Sequence, residues 1–93
     1  MTPWLEVVGI GEDGLMGLGA AVRELVLAAE VLVGSRRHLE LVPDTGAERI
    51  FWRSPLAATF AEIASHASRR VVVLASGDPL WYGVGRALLE RFG

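Results

Sequence analysis

A run of five apolar residues, Val71-Val72-Val73-Leu74-Ala75, constrains this chain more than any other stretch. Three of the five are β-branched and no polar residue alternates with them, which is the pattern of a strand buried on both faces. Strands of that kind belong to parallel sheets covered on each side by helices. The run leads directly into Ser76-Gly77-Asp78-Pro79, where proline cannot donate to a ladder and glycine frees the backbone to turn. Gly83 and Gly85 then open a helical pattern marked by Val84, Leu88 and Phe92. Ligands of open parallel sheets bind outside the carboxyl ends of the strands, so residues 76–85 are the first place to expect chemistry.

The rest of the chain repeats the alternation of strand and helix. Trp4 to Ile10 reads as a strand that runs into the loop Gly9-Ile10-Gly11-Glu12-Asp13-Gly14, continued by Leu15 to Gly17. From Leu18 the spacing becomes helical: Leu18, Ala21, Val22, Leu25, Val26 and Ala29 share a face, with Arg23, Glu24 and Glu30 off it. Val31 to Val33 is a second strand closed by Gly34. Ser35 suits the N-cap of a short helix over Arg36 to Leu41, and Pro43 to Gly46 is a turn. Glu48 to Trp52 is a third strand, placed near an edge by its alternating charge. Ser54 and Pro55 suit the cap and first position of a helix whose apolar face is Leu56, Phe60, Ile63, Ala64 and Ala67. The expected class is therefore α/β: a parallel sheet of four or more strands with flanking helices and right-handed crossovers.

Composition adds boundaries. Ninety-three residues allow one small domain, and a chain of that size buries only about 60–65% of its unfolded surface. Yet 52% of the residues are hydrophobic and the mean hydropathy is +0.39, high for a small soluble monomer. Either the chain pairs with another copy, as a homo-oligomer, or it is one part of something larger. The second is preferred: the chain stops directly after a helix, and a ligand trough in an α/β protein needs a second wall. No apolar run approaches the roughly 20 residues of a membrane span, and the N-terminus has no basic segment of the signal-peptide kind. With no cysteine, neither a disulfide framework nor a thiolate metal site is expected, which suits a cytoplasmic protein. A net charge of −2 with scattered arginines argues against nucleic acid as a partner.

The two glycine loops point in different directions. Gly9, Gly11 and Gly14 fit G-x-G-x-x-G between a strand and a helix, the setting of a dinucleotide fingerprint. Glu12 and Asp13 inside it would repel a phosphate at close range. The ribose-binding acid expected about 20 residues further on is replaced by Gly34-Ser35-Arg36-Arg37, so only an NADP-binding half-domain of an oxidoreductase stays open on that reading. The second loop suits a cofactor with a sulfonium cation and an amino-acid end. Gly77 lets backbone groups approach closely, Asp78 supplies negative charge, and the glycine-rich helix start offers N–H groups to a carboxylate.

SGDPLWYGVG resembles the GDPxxxG signature of the tetrapyrrole methylases, class III enzymes that use S-adenosyl-L-methionine to methylate porphyrin-type rings. VVGIGEDGLMGL and AEVLVGSRRHLELV extend the resemblance over essentially the whole chain, and point to the branch that acts on precorrins in cobalamin biosynthesis. The resemblance implies that residues 1–93 are the N-terminal α/β subdomain of a methylase domain about twice as long. The closing subdomain would lie elsewhere, and this piece alone would be inactive. It further implies S-adenosyl-L-methionine as cofactor, with S-adenosyl-L-homocysteine as product, bound by Ser76, Gly77, Asp78 and Trp81. The first loop would face the tetrapyrrole (precorrin) substrate, of precorrin-6Y type, through Gly9, Gly11, Glu12 and Asp13. Methyl transfer from a sulfonium needs positioning more than covalent catalysis, so no nucleophilic triad is expected; Asp13 is the candidate for acid–base work on a ring proton.

Each of these residues also has a plainer reading. Asp78 could only cap the next helix, Trp81 and Tyr82 could be core aromatics, and Glu12 and Asp13 could merely solvate a loop. Arg36-Arg37 is expected to be a solvated helix start, His66 a solvated residue off the apolar face, and Trp4 and Trp52 core or subunit-contact residues. His38 falls on a helix with no assigned role, and no metal site is expected. A non-catalytic α/β assembly module is the remaining alternative.

Overall fold

The computed structural model describes residues 4–11, 13–53, 56–75 and 90. Four strands, β1 (Leu5–Gly9), β2 (Val31–Gly34), β3 (Glu48–Phe51) and β4 (Val71–Ala75), form one sheet in the order β1-β4-β2-β3. Every neighbouring pair is parallel. Helices α1 (Ala20–Ala28), α2 (Arg36–Glu40) and α3 (Leu56–Ala64) occupy the crossovers, as the α/β reading requires. β4 lies between β1 and β2, with Val73 opposite Val7 on one side and Val33 on the other. All five of its residues are buried, which is why its sequence is apolar without alternation.

The helices divide the two faces of the sheet. Val8, Leu32, Val72 and Leu74 pack with Val26 and Ala29 at the end of α1 and with Leu39 and Val42 around α2. Val31, Val33, Ile50, Val71 and Val73 pack with Phe60 and Ile63 of α3. The chain steps from β1 to β2 and β3 in one direction and returns to β4 in the other. Crossovers of one hand therefore place α1 and α2 on one face and α3 on the opposite face.

Local chemistry fixes the ends of these elements. Ser35 Oγ accepts from the His38 backbone N–H at 3.2 Å, the N-cap expected for α2. Asp44 Oδ1 accepts from the Gly46 N–H at 3.0 Å in the turn that follows, where Gly46 has φ +83°. Arg49 on β3 donates to the carbonyls of Leu39, Val42 and Pro43, closing the far end of α2. Thr59, fully buried, accepts from the Arg53 N–H at 3.2 Å and so ties α3 to the end of β3. β3 is an edge strand, as its charge pattern implies. Trp52 and Trp4 pack half-buried against the α3-side core, Trp52 edge-on to Phe60 at 6.1 Å.

Several details differ from the expected ones. α1 starts at Ala20, not Leu18, because Leu18 is extended (φ −97°, ψ 148°) and closes a 3-10 turn over Gly14–Gly17. Only the C-terminal half of its apolar stripe meets the sheet: Val26 and Ala29 are buried, Leu18 and Leu25 half-buried, Ala21 and Val22 exposed. In the α3 region Phe60, Ile63 and Thr59 carry the contact, whereas Ala64 and Ala67 are exposed. His66 is not solvated. Its Nε2 lies 3.1 Å from Glu48 and its Nδ1 3.3 Å from Arg69. A guanidinium can only donate, so Nδ1 accepts and the proton sits on Nε2, toward the carboxylate. Arg69 and Arg70 also reach Glu30, tying the approach to β4 to the starts of β2 and β3. Ser54, Pro55, Val84, Leu88 and Phe92 lie outside the described residues. Among the described residues no helix is long and apolar enough to cross a membrane.

His38 is buried, and that burial, with the charge of Arg37 beside it, holds the imidazole below the ordinary histidine range. Below the unperturbed value of 6.5 the unfolded chain then binds more protons than the folded one. Stability contributed here is complete above that pH and declines as pH falls toward the lowered folded value. Denaturant titrations at about pH 7.5 and about pH 5.5 should show that His38→Gln removes part of the acid-side loss; equal losses in the two proteins would contradict this. Leu74→Ala, emptying a fully buried site on β4, should cost about 2–5 kcal/mol in the same titrations, and a loss under about 1 kcal/mol would mean that β4 is not the centre of the core.

Candidate functional site

Because all four strands are parallel, their carboxyl ends share one edge of the sheet, and the loops that leave it hold the candidate residues. The first loop is pinned to β4 at its root: the Ile10 N–H donates to the Ala75 carbonyl at 2.7 Å. The carboxyl end of β4 therefore lies directly beside Gly9 and Ile10. The two loops singled out in the sequence thus start from adjacent strands.

Within the first loop, the Gly14 N–H donates to the Gly11 carbonyl at 3.0 Å, and Gly14 is buried with φ +60°. A Cβ there would come within 3.3 Å of the Leu41 carbonyl oxygen, so glycine is what lets the loop lie against the end of α2. Gly9 and Gly11 are different. Both are exposed, neither has positive φ, and a Cβ on either would meet nothing within 4 Å. Nothing among the described residues demands glycine at those positions. Asp13 is exposed at the start of the 3-10 turn, its side chain caps nothing, and among the described residues it has neither hydrogen bond nor ion pair.

The structure thus places Gly9 at the end of β4, with Gly11 and Asp13 following in the same loop. Glu12 lies outside the described residues, as do Ser76, Gly77, Asp78 and Trp81. The loop from Gly9 to Leu18 carries acids and no base. That donor set suits a cationic or neutral ligand group and disfavours a phosphate. Strand order speaks against the dinucleotide alternative as well. In that fold the glycine loop follows a strand adjacent to the one that carries the ribose-binding residue. Here β4 separates β1 from β2, so Arg36 and Arg37 stand one strand too far from Gly9 and Gly11.

Some features of this edge were not visible in residue types. His38 packs beside Gly34 at the end of β2, its Cβ within 3.6 Å of where a Gly34 Cβ would stand. The signal for its burial is position, since it adjoins Leu39, which packs in the α2-side core. Phe51 closes β3 beside Gly34 and is 46% exposed. Among the described residues no group of three or more His, Asp or Glu could hold a metal.

Known proteins resemble this chain along nearly its whole length. The precorrin-6Y C(5,15)-methyltransferase (decarboxylating) of a Sinorhizobium species is 48% identical over 98% of this chain. Its counterpart of the same name from Mycobacterium tuberculosis is 42% identical over 94%. The cobalt-precorrin-7 C(5)-methyltransferase of Salmonella typhimurium is 40% identical over 96%. The chain spans 22% of the length of the first two and 44% of the third. The sequence profile of the tetrapyrrole (corrin/porphyrin) methylases matches residues 5–93, and the chain belongs to that family.

Proposed function

We propose that this chain forms the N-terminal α/β subdomain of a precorrin methylase, and that a second subdomain elsewhere in the protein completes the trough. The whole protein would carry out S-adenosyl-L-methionine-dependent C-methylation of a precorrin of precorrin-6Y type, in cobalamin biosynthesis, as a cytoplasmic homo-oligomer. The observation that carries the reading is identity of 48% to a named precorrin methyltransferase along nearly the whole chain. The placement of the first loop against the end of β4 supports it.

The residue types fit such a cofactor: Ser76 to Trp81 supply a hydroxyl, a glycine backbone and the Asp78 carboxylate, and no cation. When bound, S-adenosyl-L-methionine supplies a sulfonium-activated methyl group for an electron-rich ring carbon. Ser76, Gly77, Asp78 and Trp81 are the residues that would hold it. Gly9 and Gly11, free of packing demands among the described residues, would let the tetrapyrrole approach the backbone, and Glu12 and Asp13 belong to the same loop. Asp13, exposed and without a hydrogen bond or ion pair among the described residues, would hold the proton that a methylated ring carbon gives up. The remaining task is orientation and exclusion of water, for which a rigid sheet edge is suited.

Titration calorimetry on the protein in its natural reading frame tests the reading. S-adenosyl-L-homocysteine should bind and NADP should not, and Asp78→Ala should weaken the former by about tenfold or more. Binding of NADP in preference to S-adenosyl-L-homocysteine would overturn the assignment.

A further inference from the structure

We propose that Arg36 is a specificity residue for the acid side chains on the rim of the tetrapyrrole, with Phe51 beside it as an apolar contact; this rests on the functional reading above. Seven arginines lie among the described residues, and six of them have partners within the chain. Arg23 donates to the Leu18 carbonyl, Arg49 closes α2, Arg53 pairs with Glu62, Arg69 and Arg70 reach Glu30, and Arg37 is engaged as well. Arg36 has neither hydrogen bond nor ion pair among the described residues, and it is exposed.

Its place matters more than its freedom. Arg36 follows Gly34 and Ser35 at the carboxyl end of β2, on the edge that also carries the first loop. β4 alone stands between β2 and β1, so at a strand spacing of about 4.8 Å the two loops are roughly 10 Å apart at their roots. A macrocycle held over Gly9 and Gly11 would extend across the end of β4 toward Arg36. Gly34 is in register with Phe51, whose half-exposed ring therefore neighbours the start of α2. A planar apolar ring system with carboxylates on its rim matches a guanidinium next to an exposed aromatic. Guanidinium and carboxylate can also pair through two parallel hydrogen bonds.

The test uses the protein in its natural reading frame, with Arg36→Gln and Arg36→Lys variants. Steady-state methylation of a precorrin is measured alongside fluorescence titration with a propionate-bearing porphyrin and with its methyl ester. Arg36→Gln should raise KM and weaken the porphyrin acid by about tenfold while kcat stays within about twofold. Arg36→Lys should recover most of that loss, and the methyl ester should bind all three proteins alike. Unchanged KM and porphyrin affinity in Arg36→Gln, with S-adenosyl-L-homocysteine binding normal, would overturn the role of Arg36 and leave the functional reading standing. Failure of the unsubstituted protein to bind S-adenosyl-L-homocysteine would overturn the functional reading and this inference with it.

Discussion

The parallel ladder that holds β4 between β1 and β2 is the constraint on which the rest depends. A strand paired on both edges and covered on both faces can present no polar side chain, and Val71 to Ala75 presents none. Its position also decides what stands at the carboxyl edge. With β4 in the middle, the loop after β1 starts beside Ala75, and the Ile10–Ala75 hydrogen bond keeps it there. At the opposite edge Glu30, Glu48, His66, Arg69 and Arg70 make a polar clasp that fixes how the chain enters β4. One end of the central strand is tied by charge, and the root of the first loop is tied to the other.

Much of this was legible in the sequence because it depends on local chemistry. The buried strand showed in its unbroken apolar run, the α2 cap in Ser35, and the turn at Pro43 to Gly46 in its residue types. The edge position of β3 showed in its alternating charge. Strand order was not legible, because it is set by long-range pairing that no short pattern encodes. The half-covered stripe of α1 was missed for a related reason. Periodicity reports which side of a helix is apolar, not how far along it the sheet extends. His66 was misjudged because a histidine off an apolar stripe reads as solvated unless Glu48 and Arg69, distant in sequence, are known to flank it. The candidate site is legible as loops and not as contacts: residue types name Gly9, Gly11 and Asp13 as candidates, while the open space at Gly9 and Gly11 comes from the fold.

The topology also separates two chemistries that the glycine spacing alone leaves joined. A dinucleotide needs its glycine loop and its ribose contact on neighbouring strands, and β4 keeps them apart here. A methyl donor carrying positive charge has no such need. An acidic, base-free loop beside a central strand is compatible with it. Family membership and the physical reading of the edge therefore rest on independent observations, one on identity along the chain and the other on strand order and charge.

The central claim is that ligand chemistry takes place where β4 leaves the sheet, next to the first loop. Crystals of the protein in its natural reading frame, soaked with S-adenosyl-L-homocysteine, test it directly. Density for the bound molecule should lie against Gly77 and Asp78, within reach of the backbone at Gly9 and Gly11. Density at the opposite edge of the sheet, or on the outer face of α1 or α3, would contradict it.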